Sequence, residues 1–263
     1  MTRDADDPME AEFDTLAEWT AEVAADLGPE YLVPAACRGS GKPAALDWLL
    51  AGLRAGAGDL LADIGAGLGG PAAYAADRTG VRPVLVEPEP DACRAAARLF
   101  DALVIQADAT ALPFADGAVG LAWSLGVLCT APSRDAQLAM LREMRRVVHP
   151  GGRIGLLVYL AVTAELDDPP QGNHFPTSTD LHTLLRRAGL EVLAVADSQD
   201  MPEPPASWQE RTAAIERELQ RRCGRNAQFA AAAGQSGRIG HLLDIGQLTS
   251  QVILLSREYE GEA

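Results

Sequence analysis

Leu60-Leu61-Ala62-Asp63-Ile64-Gly65-Ala66-Gly67-Leu68-Gly69-Gly70-Pro71 is the stretch whose reading decides the fold. An apolar run ends in four glycines within six residues, and a proline follows. A short apolar run bounded by glycine reads as a buried strand. Proline suits the first turn of a helix, where its missing N–H would have no partner anyway. Gly65, Gly67 and Gly70 have the G-x-G-x-x-G spacing of a loop whose bare backbone lets a nucleotide-type ligand approach.

Outward from this loop, short apolar runs alternate with helical patterns. The runs are Leu60–Ile64, Pro83–Glu87, Leu103–Gln106, Val119–Ser124 and Arg153–Leu160. Helices are expected near Pro71–Asp77, Asp91–Phe100 and Arg134–Val148, with a tight turn at His149-Pro150-Gly151-Gly152. This cadence predicts an α/β domain with a mostly parallel sheet and helices on both faces. Such sheets hold ligands at the carboxyl ends of their strands.

Residues 1–58 read as a polar tail and a helical cap. Phe13, Leu16, Trp19, Val23 and Leu27 step by threes and fours, Gly28-Pro29 stops that helix, and another is expected over Pro43–Leu53. The domain proper is assigned to 59–263. Within it come a helix at Thr179–Ala188, a strand at Glu191–Ala196 and a final strand at Val252–Leu255. A helical insertion at about 198–245, with Trp208, Ile215, Leu219 and Cys223 on one side of a helix, is expected to be a lid or a dimer contact.

The composition narrows the partners. With 48% hydrophobic and 22% charged residues among 263, the chain can bury a real core. Its formal net charge of −15 disfavours nucleic acid and anionic membranes. The longest apolar run, Ile154 to Ala164, is too short to span a bilayer, and the acidic start at Thr2–Asp7 is unlike a signal peptide, so a cytoplasmic location is expected. Cys37, Cys93, Cys129 and Cys223 have neither CxxC nor zinc-finger spacing, so no metal site is expected.

Three acidic residues at strand ends sharpen the ligand. Glu87 stands twenty residues after Gly67, where a ribose-binding carboxylate belongs. The glycine loop with Glu87 fits NAD as well as S-adenosylmethionine. Asp63, two residues before Gly65, would face the pyrophosphate of NAD unfavourably but would suit the ammonium of a methionine moiety. Asp108, in Gln106-Ala107-Asp108-Ala109-Thr110-Ala111-Leu112-Pro113-Phe114, offers an acceptor for an adenine amino group.

Taken in order, Asp63-x-Gly65-x-Gly67-x-Gly69, Glu87, Asp108-Ala109 with Leu112-Pro113-Phe114, and Pro150-Gly151-Gly152 resemble the signature of class I S-adenosylmethionine-dependent methyltransferases, in particular the small-molecule type 11 group. The resemblance covers about 60–160. It implies a Rossmann-like seven-stranded sheet whose last strand is antiparallel, S-adenosyl-L-methionine as cofactor and methyl transfer to a small molecule. It implies that Gly65, Ala66 and Gly67 approach the cofactor, Asp63 serves its ammonium, and Glu87 with Pro88 holds the ribose. Asp108 and the Ala109 amide fall to the adenine, and Ser124-Leu125-Gly126 to the border of sulfonium and acceptor. Gly120 departs from the family, which often has an aspartate there. An NAD(P)-dependent oxidoreductase and a noncatalytic adenosine-binding module stand as alternatives.

Methyl transfer is an in-line displacement governed mainly by alignment, so a general base is optional. Among the histidines His149 belongs to the glycine turn and His182 to a solvated helix. His174, in Gln171-Gly172-Asn173-His174-Phe175-Pro176, is the leading candidate for a base, and His241 is the other. Arg38 is a candidate partner for the methionine carboxylate. Trp123, Cys129 and Trp208 are candidates for the acceptor wall, with core packing as their alternative. The chain is expected to be a monomer or homodimer.

Overall fold

The computed structural model describes residues 16–37, 39 and 41–257. Phe13 and Arg38 lie outside the described residues. Seven strands form one sheet in the order β3-β2-β1-β4-β5-β7-β6. They are β1 (Leu60–Ile64), β2 (Arg82–Glu87), β3 (Leu103–Gln106), β4 (Val119–Leu125), β5 (Val148–Ala161), β6 (Leu190–Asp197) and β7 (Leu248–Arg257). β1 pairs in parallel with β2 and β4, β2 with β3, and β4 with β5. β7 runs antiparallel between β5 and β6. β2 and β3 are added on one side of β1 and β4 on the other, so the carboxyl ends of β1 and β4 frame a crevice at this switch point.

The two faces of the sheet are packed differently. Alternate residues such as Ala62, Ile64, Ala122, Ile154 and Leu156 point into a core under α6 (Arg134–Val147) and α7 (Ser178–Ala188). Leu61, Leu121, Trp123, Leu157 and Leu254 point the other way, under α3 (Pro43–Leu53). Two further helices link the first strands: α4 (Gly70–Thr79) and α5 (Pro90–Phe100). The period-two alternation therefore builds a three-layer sandwich, the Rossmann-like architecture the sequence predicts.

At the amino end, α1 (Leu16–Leu27) is followed by α2 (Pro29–Ala36), a helix not predicted from the sequence. Pro29 opens it at the first turn, where proline is accommodated, and Pro34 lies inside it. With only eight residues, α2 leaves Pro34 little hydrogen-bond ladder to interrupt. Between β6 and β7 the chain inserts α8 (Ala206–Cys223) and α9 (Ala227–Asp244). These helices share a small core with α1 and α2: Leu16, Val23, Ala35, Ile215, Leu219 and Phe229 are buried together. Trp19 meets Phe229 with ring centroids 6.4 Å apart, and Arg222 reaches Asp26 at 2.7 Å. The amino-terminal helices and the insertion between β6 and β7 thus pack together beside the crevice.

The His149–Gly152 segment corrects the expected turn. It is an irregularity within β5, since Val148 pairs with Val119 and Arg153 with Leu121. A Cβ on Gly120 would come 3.4 Å from His149 Nε2, so the histidine ring occupies the space beside Gly120.

Candidate functional site

The carboxyl end of β1 turns through Gly65 and Gly67, with φ of +73° and +54°. Both angles lie in the left-handed region, which disfavours side-chain-bearing residues by roughly 1–2 kcal/mol. A Cβ at Gly65 would strike Val127 Cγ2 at 2.4 Å, whereas one at Gly67 would meet nothing within 4 Å. Gly65 therefore serves the close approach of the β4 end, and Gly67 opens onto space.

That space is a cavity of about 390 Å³. One side is made by Gly65, Ala66, Gly67 and Leu68 with Glu87, Pro88 and Glu89. Next to it come the β4 end (Leu125 to Val127, Cys129, Thr130), Tyr159 of β5 and Asn173. Leu16, Ala17 and Thr20 of α1, the end of α2, and Ser236, Ile239, Gly240 and Leu243 of α9 complete the wall. The four α9 residues recur at i, i+3, i+4 and i+7, one helical stripe turned to the cavity.

Glu87 ties two segments of this wall. One carboxylate oxygen accepts from Gly67 N–H at 2.7 Å and the other from Glu89 N–H at 3.1 Å. Asp63 lies deeper, 2% exposed and outside the cavity lining, and its Oδ2 has no hydrogen-bond partner. Burial pushes its carboxyl up to about 7; the nearby Trp123 indole draws it down in part, and the charge of Glu87 pushes it up again. Trp123 Nε1 also lacks a partner, so the indole stands beside the carboxyl without completing a hydrogen bond. Cys37 thiol is raised by burial and by Asp63, which places the end of α2 against the same carboxyl.

Gly65, Ala66, Gly67, Glu87 and Pro88 are brought together as expected from their strand ends. Asp108 and Ala109 are not in the cavity lining. Asp108 is exposed at the end of β3, and its Oδ1 accepts from the Thr110 amide at 2.7 Å and hydroxyl at 2.6 Å. Its segment still adjoins Glu87, whose carbonyl accepts from Ala107 N–H at 3.2 Å. Ser124 is buried away from the cavity, with its hydroxyl donating to the Ile64 carbonyl at 2.7 Å. It fastens β4 to β1, and Leu125 and Gly126 reach the cavity instead.

His174 is not delivered to the cavity. Its main chain is pinned, with N–H donating to the Cys129 carbonyl at 2.7 Å and C=O accepting from Gln137 Nε2 at 2.7 Å. Its ring is exposed while Phe175 takes the buried position and Asn173 the cavity wall. His149, His182 and His241 are exposed too. Cys129 does line the cavity; Trp123 is fully buried beneath it, and Trp208 packs edge-on against Tyr74.

Sequence reasoning missed Thr20 and Tyr159. Thr20 is 2% exposed on the cavity wall, and its hydroxyl has no partner. Nothing in an amphipathic helix marks one threonine as facing a cleft in another part of the fold. Tyr159 donates to the Gly39 carbonyl at 3.2 Å, and burial beside Cys129 pushes its phenol up to about 12. Its place near the end of β5 was the available signal.

The fold and the glycine loop define a Rossmann-like protein. Residues 62–156 match a family described as methyltransferase domain. The chain is 30% identical over 166 residues to methyltransferase GfsG of Streptomyces halstedii, an alignment spanning 56% of this chain and 58% of that protein. Among solved structures it resembles the cyclopropane synthase MmaA2 of Mycobacterium tuberculosis, with TM-score 0.67, 15% identity and coverage of 90% of this chain and 97% of that one. It also resembles geranyl diphosphate C-methyltransferase of Streptomyces coelicolor A3(2), solved with Mg2+, geranyl diphosphate and S-adenosyl-L-homocysteine. There the TM-score is 0.59 at 16% identity, over 81% of this chain and 74% of that one.

Proposed function

We propose that the protein is a methyltransferase that binds S-adenosyl-L-methionine in this cavity and methylates a small molecule. The observation that carries the reading is Glu87, held by Gly67 N–H at 2.7 Å in the glycine loop, on the strand beside the buried Asp63 whose Oδ2 has no partner. The open space at Gly67 and the buried, unpaired acceptor fit a ligand with ribose hydroxyls at one end and an ammonium at the other. The cofactor, when bound, supplies an electrophilic methyl on a positive sulfur, whose bond electrons return to sulfur as the acceptor's lone pair forms the new bond.

In this reading Glu87 grips the ribose, and such charge-assisted hydrogen bonds contribute about 1.5–3 kcal/mol. Asp63 faces the ammonium, Pro88 flanks the ribose, and Asp108 with the Ala109 amide is assigned to the adenine end. The Thr20 hydroxyl is a further polar contact from the helical cap, and Arg38 keeps its assignment to the methionine carboxylate. The structure gives no support to His174 as base. Positioning by the wall residues is the main contribution of the protein, and alignment alone can supply roughly 7–11 kcal/mol. The domain division, with α8–α9 as lid, fits this use because α9 lines the cavity.

Among the described residues no helix is long and apolar enough to cross a membrane. With the net charge of −15, this supports a small-molecule acceptor over nucleic acid or a membrane surface, and the expected cytoplasmic location. The reading is tested by calorimetry with S-adenosylhomocysteine and with NADH. Micromolar S-adenosylhomocysteine binding, weakened roughly 10- to 100-fold by Glu87→Gln without loss of fold, is expected. Binding of NADH alone would reject the proposal.

A further inference from the structure

We infer that the methyl acceptor is a neutral, mostly apolar molecule seated between the α9 stripe and the ends of β4 and β5. The inference rests on the methyltransferase reading and adds the substrate class. Among the described residues lining the cavity, the charged side chains are Glu87 and Glu89, and both belong to the β2 side beside the glycine loop. The rest of the wall presents Leu125, Val127, Cys129, Tyr159, Ile239 and Leu243. Its polar groups are neutral: Thr20, Thr130, Asn173 and Ser236.

The arginine of α9 is engaged elsewhere. Arg238, on the same helix as Ile239, pairs with Asp168 at 3.0 Å and donates to Gln235 at 2.8 Å. Gln235, 3% exposed, exchanges hydrogen bonds with the main chain of Gln171, at 3.1 Å and 3.3 Å. These contacts clamp the 168–171 loop to α9 and fix which stripe of the helix meets the cavity. On this wall a phosphate or carboxylate acceptor would lose its hydration with no cation among the described lining residues to receive it, and an ammonium would meet neutral groups only. Burying an unpaired charge is strongly unfavourable, whereas Leu, Ile, Val and Tyr walls favour apolar surface. A few neutral groups suffice to orient a hydroxyl or carbonyl.

The test is displacement of the neutral dye N-phenyl-1-naphthylamine by three ligands that share one naphthylmethyl group: 1-naphthalenemethanol, 1-naphthaleneacetate (the anion) and 1-naphthalenemethylamine. The full chain is used, with and without saturating S-adenosylhomocysteine. The alcohol is expected to compete at least tenfold more strongly than the acetate or the amine. Ile239→Asp and Leu243→Asp are expected to weaken the dye at least tenfold while S-adenosylhomocysteine affinity stays within about threefold. Equal or better competition by either charged ligand, or no binding of the dye to wild type, overturns the inference. Failure to bind S-adenosylhomocysteine removes the cofactor reading instead, since charge selectivity is still read in its absence.

Discussion

Asp63 shows how one residue couples stability to ligand chemistry. Its folded carboxyl titrates at about 7, raised from 3.8 chiefly by burial. The folded state therefore holds a proton that the unfolded chain releases. The stabilisation is complete below about pH 4 and is lost as pH rises through about 7. Asp63→Asn is expected to flatten this dependence and stabilise the protein at pH 8 by on the order of 2–4 kcal/mol, read by urea denaturation at pH 5 and pH 8. S-adenosylhomocysteine affinity of the wild type should rise from pH 6 to pH 8 as the carboxylate forms, and the variant should bind weakly at both. Thr20 offers a second case. Thr20→Val removes a buried hydroxyl without a partner, so the melting temperature is expected to hold or rise while affinity falls several-fold. A drop in melting temperature without change in affinity would make Thr20 a packing residue. At this scale the sequence was legible where a side chain follows from strand polarity, as with Glu87, which directly follows the apolar run of β2. It misled where main-chain ties decide orientation: pinning His174 at both N–H and C=O sends its ring outward.

The glycine loop is the element on which the site turns, and its two exposed-φ positions separate fold from binding. Gly65→Ala adds a methyl 2.4 Å from Val127 Cγ2 to the backbone strain, so severe destabilisation is expected. Gly67→Ala meets no atom within 4 Å, so about 1–2 kcal/mol of stability should be lost while S-adenosylhomocysteine affinity falls at least tenfold. Thermal denaturation and calorimetry on both variants check this, and similar losses of stability would contradict it. The strands of the sheet were readable because alternating and continuous apolar runs carry their own period, and β1, β2 and β3 fall within a residue of expectation. Short α2 was not, because Gly28-Pro29 reads as a stop and only the burial of Pro34, Ala35 and Ala36 in the fold shows why a helix follows it. The β5 irregularity escaped for a similar reason: His-Pro-Gly-Gly spells a turn, and strand pairing on both sides of it is a tertiary fact.

For the whole molecule, the sheet places Asp63 and Glu87 on adjacent parallel strands, and the amino-terminal helices and the insertion between β6 and β7 pack together beside the crevice. The charge of −15 and the order of motifs bound the class of protein from sequence, but the acceptor wall was invisible there. Its residues come from β4, β5, the 173 loop and α9, segments far apart in the chain that only the fold assembles. The central claim is that the Gly65–Gly67 turn and the Asp63 and Glu87 carboxyls embrace one adenosyl amino acid. The most direct measurement is a crystal structure of the full chain with S-adenosylhomocysteine. The ribose hydroxyls on Glu87, the ammonium toward Asp63 and the thioether facing Leu125–Val127 are the predicted result; the ligand elsewhere, or in the cavity with both carboxyls turned away from it, would contradict the account.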